Sequence, residues 1–145
     1  MRSKKMEKIL IFIPLAITFG YIFFYMLWGK EPNPKTFRYN RLFKNDTLIK
    51  HLVFAICFFI LGMFRLKSHP AEAYYTAPLV FILLIKLSNP LFRNLYNRNI
   101  IIATRWDRPP KGKNGIKVLD RIIGALIVIF SLISPIILNI LLQDI

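Results

Sequence analysis

Hydrophobic and polar positions divide this chain into four apolar stretches separated by basic connections. Residues 9–28 run for 20 residues without a charge, about 30 Å of helix, which is the thickness of a bilayer's hydrocarbon core. Residues 122–143 run for 22 on the same terms. Either can span unaided. The middle two are shorter: 13 residues separate His51 from Arg65 and another 13 separate Glu72 from Lys86, a length that also suits a buried or re-entrant helix. They reach spanning length as residues 48–64 and 73–89 if Lys50 and Lys86 bend their ammonium groups toward the headgroups. With the turn centred near Ser68, each lysine lies 18 residues from it, so an antiparallel hairpin holds both at about one depth. The pattern predicts an all-α integral membrane protein, a bundle of about four transmembrane helices forming one domain over residues 1–145.

Beyond Asn89 and Pro90, Leu91, Phe92, Leu95 and Tyr96 recur at helical spacing, with Arg93, Asn94, Asn97 and Arg98 on other faces, and 100–103 continue the apolar character. A short amphipathic helix near residues 91–103, lying in the interface, is expected. A basic, turn-rich loop comes next over 105–115, after which Asn114 can cap a helix that carries Lys117, Asp120 and Arg121 into the last span. Pro14, Pro78 and Pro135 predict bends in three of the segments. Gly20, Ala55, Gly62, Gly124, Ser131 and Ser134 are small enough for close helix approach. Trp28, Tyr74, Tyr75 and Trp106 read as interfacial anchors, and Cys57 as a packed core residue.

Charge changes the picture of the partners. The 145 residues are 55% hydrophobic, and 21 Lys plus Arg against 7 Asp plus Glu give a net charge of +14. In a soluble protein that excess would suggest nucleic acid. Here the cations sit between apolar runs, where they meet anionic lipid headgroups at roughly 1 kcal/mol each. The expected surroundings are therefore a bilayer with anionic headgroups and no nucleic acid. The N-terminal tail is basic like a secretory signal, but the apolar run after it is too long and carries no A-x-A-like site at its end, so it reads as a retained helix.

Lys/Arg asymmetry sets orientation. Four spans with the N-terminus outside place 15 cations inside and 6 outside, and three spans with the N-terminus inside score the same. Both put the 86–121 connection in the cytoplasm and the C-terminus outside. The abundance of Ile, Lys, Asn and Phe points to a bacterial cytoplasmic membrane.

Candidate chemistry is sparse. His69 and Glu72 are the nearest approach to a metal or acid/base pair, and two ligands do not make a zinc site. No H-E-x-x-H, glycine-rich phosphate loop or serine elbow is present, so neither an enzyme nor a cofactor is expected. The apolar segments hold no carboxylate for coupled transport. Binding remains. Lys50 and Lys86 can hold a lipid phosphate between them, and Arg105, Arg108, Lys111 and Lys113 can form a docking surface for an acidic partner or lipid head. The sequence thus suggests an accessory subunit or immunity-type partner of another membrane or membrane-targeting protein. The alternative is a small homo-oligomeric pore of holin type, for which a polar stripe along one helix is required.

Overall fold

A computed structural model describes residues 4–27, 38–66, 69–102 and 115–143, and all regular structure among them is helical. The first helix, α1 (Lys4–Phe19), passes without a break into a π-helical stretch, Gly20–Met26. A 3-10 turn, Arg38–Phe43, leads into α2 (Asn45–Arg65), and a second 3-10 turn, Pro70–Thr76, feeds α3 (Ala77–Tyr96). The last helix is α4 (Val118–Gln143). Four helical runs are long and apolar enough to cross a membrane: Ile9–Met26, Asn45–Arg65, Pro70–Tyr96 and Val118–Leu142.

The middle segments gain their length because the charges that seemed to end them lie inside helices. Lys50 sits in the second turn of α2 and Lys86 midway along α3, both exposed. Glu72 is buried in the second 3-10 turn, where its Oε1 accepts from Arg65 Nη2 at 3.0 Å across the hairpin. Gly62 makes that crossing tight: a Cβ added there would stand 2.9 Å from Tyr75 Cβ and 3.2 Å from the Glu72 carbonyl oxygen. Phe58 stacks on Tyr75 at 5.5 Å. Antiparallel pairing continued from these two contacts sets Lys50 opposite residues 83–87, about the level of Lys86.

The helix Pro70–Tyr96 is the hub, with half of its most apolar stretch buried, against 11% for α2 and 17% for α4. Phe81, Ile82, Ile85 and Phe92 of α3 meet Ile22 and Met26 from the first span, Ala55 from α2 and Ile127 from α4 in one core. The outer faces carry Phe64, Leu87, Phe130, Ile137 and Leu141, all exposed. Such a surface suits hydrocarbon rather than water.

Several sequence expectations change. The separate interfacial helix over 91–103 does not form. Instead α3 continues through Pro90 to Tyr96 and stops at Asn97, whose left-handed backbone (φ 51°, ψ 31°) lets its N–H donate to the Arg93 carbonyl at 3.0 Å. Asparagine tolerates that conformation better than other side-chain-bearing residues. Past this turn the chain becomes a non-helical strap, and its three isoleucines, Ile100, Ile101 and Ile102, are buried in the core rather than laid on the interface. Pro78 lies in the first turn of α3, whereas among the described residues Pro14, Pro90 and Pro135 stand inside α-helices. Tyr75 is core, not anchor, and Cys57 is exposed on the outer face of α2. Gly20 packs against nothing: a Cβ there would have no neighbour within 4 Å. Trp28, Trp106 and the Asn114 cap lie outside the described residues.

Candidate functional site

The strap exists because three side chains replace the backbone partners it lacks. Residues 100–102 bring three N–H groups into the core without helix or sheet to receive them, a situation that is costly unless each finds an acceptor. Ile100 N–H donates to Asn89 Oδ1 at 3.0 Å, Ile101 N–H to Asp120 Oδ1 at 3.0 Å, and Ile102 N–H to the Tyr39 hydroxyl at 2.9 Å. Gly124 faces the strap, and a Cβ at that position would lie in ordinary van der Waals contact, 3.4 Å from Ile102 Cγ2. The strap thus joins α3, α4 and the first 3-10 turn.

Asp120 does more than receive the strap. It lies in the first turn of α4, where its Oδ2 also accepts from the Lys117 N–H at 2.8 Å, closing the helix N-terminus as an acidic residue at this position commonly does. Arg98 completes the cluster, with Nη1 donating to Asp120 Oδ1 at 2.9 Å and Nη2 to Oδ2. The same guanidinium donates to the Asn99 carbonyl at 3.0 Å and the Gly115 carbonyl at 3.1 Å, and stands over the Tyr96 ring at 5.2 Å. The Asp120 side chain is fully buried and that of Arg98 is 12% exposed. Every hydrogen-bond partner in the clasp is internal, so it holds the fold.

A second polar constellation is open. The π-helical stretch carries Tyr21 and Tyr25, stacked at 6.0 Å, against His51 and Phe54 of α2. The Tyr21 hydroxyl lies 3.1 Å from His51 Nδ1. The first 3-10 turn adds two cations: Arg41 Nη1 donates to the Tyr25 hydroxyl at 3.0 Å, and the Arg38 guanidinium stands 5.2 Å over the Tyr25 ring. Between the π-helical stretch and α2 runs an open groove of about 530 Å³. Tyr25, Lys50 and His51 stand at its basic end, and Ala16, Ile17, Gly20 and Phe54 along its apolar length.

Of the residues expected to bind, Lys50 lines this groove, and Lys86 is exposed on α3 at a similar level but outside it. Arg105, Arg108, Lys111 and Lys113 lie outside the described residues. His69 and Glu72 are occupied separately: His69 Nδ1 accepts from the Ala71 N–H at 3.1 Å to cap the second 3-10 turn, and Glu72 pairs with Arg65. Arg98, expected on the polar face of an interfacial helix, is instead drawn into the core. Sequence reasoning missed the Arg98–Asp120 pair and the roles of Tyr21, Tyr25, Arg38 and Arg41. The i, i+4 spacing of the tyrosines was the available signal for a shared face. Compared with known proteins, the chain matches no family model, no curated protein and no solved structure.

Proposed function

We propose that this is an integral membrane protein that acts by binding, as an accessory subunit or immunity-type partner of another membrane or membrane-targeting protein. The observation that carries the reading is the outer face of α4. Leu126, Ile129, Phe130, Ile133, Ile137 and Ile140 are exposed there along several turns, while the serines of the helix are spent internally. Ser131 Oγ donates to the Ile127 carbonyl at 2.6 Å and Ser134 Oγ to the Ser131 carbonyl at 3.3 Å. Between Arg121 near its start and the half-buried Asn139 near its end, the helix is so apolar and so little buried that it suits packing against lipid and a neighbouring helix. It offers no polar stripe for a pore.

In this reading the basic connections face a bacterial cytoplasm and hold anionic headgroups, with Lys50 and Lys86 among the headgroup contacts and the 86–121 connection, including Arg105, Arg108, Lys111 and Lys113, as the docking surface. The C-terminus lies on the opposite side. A photo-reactive residue at Phe130 or Ile137 should give, in native membranes, a discrete protein adduct of one mass. Lipid adducts alone, together with dye flux through liposomes holding the purified protein, would replace this reading with a pore.

A further inference from the structure

We infer that the groove between the π-helical stretch and α2 is a binding site for one anionic phospholipid, its phosphate at Lys50 and the Tyr25–Arg41 corner and its acyl chain along Ala16, Ile17 and Gly20. The inference deepens the headgroup contacts proposed above by naming one site, and it rests on three features that agree.

The first is polarity. Lys50, His51 and the Tyr25 hydroxyl stand toward one end of the groove and Ala16, Ile17 and Gly20 toward the other, so its two chemistries succeed one another in the order of a lipid's headgroup and tail. Ala16 lies nine residues from Tyr25, about 13 Å along the helix toward the middle of the apolar span.

The second is charge. Among the described residues the Lys50 ammonium has no hydrogen-bond or ion-pair partner, and the only carboxylate on its own helix is Asp46, exposed at the N-terminus of α2. Arg41 spends Nη1 on Tyr25 and Arg38 covers the ring, so two further cations converge on the same corner. The Tyr21 hydroxyl and His51 Nδ1, 3.1 Å apart, add a further hydrogen-bonding pair beside the groove. Like charges gathered at one depth repel, and a phosphate among them relieves that cost through charge-assisted bonds.

The third is space. Gly20 leaves the middle of the groove open, because a side chain there would meet nothing. The π-helical stretch keeps its own bonds, including Leu27 N–H to the Ile22 carbonyl at 2.9 Å, and single π turns of this kind recur at functional sites.

Native mass spectrometry of the detergent-purified protein tests this with phosphatidylglycerol and phosphatidylcholine of identical acyl chains. The wild-type protein should retain one phosphatidylglycerol and lose phosphatidylcholine at the same collision energy, with glycerol phosphate failing to displace the bound lipid. Gly20→Leu, which fills the tail path, and Lys50→Met, which removes the free ammonium, should each lower the retained fraction about tenfold, and Lys86→Met, a headgroup contact outside the groove, should lower it far less. Matching thermal unfolding of Gly20→Leu and wild type shows that the fold is kept, and Lys50→Met, on the protein surface, provides the same test without filling the groove. Equal retention of the two lipids, or retention by both groove variants at the wild-type level, overturns the site. If Lys86→Met lowers retention as much as Lys50→Met while Gly20→Leu has no effect, the lipid is held by diffuse surface charge and the broader headgroup reading stands without the groove.

Discussion

Asp120 ties three parts of the fold together. One carboxylate receives the strap at Ile101, the N-terminus of α4 at Lys117 and the guanidinium of Arg98. Because the carboxylate is fully buried and Arg98 nearly so, removing one partner leaves an uncompensated charge in a medium that solvates it poorly, a loss of about 3–5 kcal/mol. Asp120→Asn should therefore lower the unfolding midpoint of the detergent-purified protein sharply. Arg98→Met combined with Asp120→Asn should fall no further than the worse single variant, since the stranded charge is then gone. Strictly additive losses would show that the two groups are not a coupled pair. The clasp was only half legible in the sequence. Asp120 stands between Lys117 and Arg121 along one helix, and helical neighbours are the natural partners to assign. The partner actually chosen lies 22 residues away, brought back by a left-handed turn at Asn97 inside a stretch whose spacing predicts one helix over 91–103.

At the scale of elements, hydrophobic length identified the two outer segments outright and the middle two only with Lys50 and Lys86 turned toward the headgroups, and all four form helices long and apolar enough to cross a bilayer. Their ends were not legible. Charges are the natural terminators in a sequence, yet Glu72 is neutralised by Arg65 across the hairpin, and Lys50 and Lys86 occupy exposed positions within helices. Small residues likewise marked close contacts without saying which were real. Gly62 and Gly20 look alike in sequence but face a 2.9 Å contact and open space respectively. Gly62→Ala should force α2 away from the second 3-10 turn, whose Tyr75 Cβ and backbone carbonyl cannot swing aside, at about 1–3 kcal/mol. Gly20→Ala should be neutral or stabilising by up to about 1 kcal/mol, through the reduced freedom of the unfolded chain. Thermal unfolding of the two variants side by side checks both, and the order of the two midpoints is the decisive reading. An unchanged midpoint for Gly62→Ala would mean that the hairpin has slack the contact distances do not indicate.

For the whole molecule, one hydrogen bond separates the two arrangements that charge counting left equal. Tyr39 belongs to the connection between the first span and α2, and Ile102 to the connection between α3 and α4, yet the Tyr39 hydroxyl accepts the Ile102 N–H at 2.9 Å. The two connections therefore share one end of the bundle. Three spans would set them on opposite faces, roughly 30 Å of hydrocarbon apart, where that bond has no place. Four spans put both on one side and gather 15 of the 21 Lys and Arg there, which the cytoplasmic preference for cations favours. An even number of crossings returns the termini to a common side. With the exposed Cys57 replaced by serine, Ser3→Cys and Asp144→Cys should both react with a membrane-impermeant maleimide added to intact cells. Lys44→Cys, in the first connection, should react only after the membrane is opened. Labelling of Ser3→Cys and Asp144→Cys from opposite sides would exclude four spans, and would require the Tyr39–Ile102 bond to break when the protein enters its membrane.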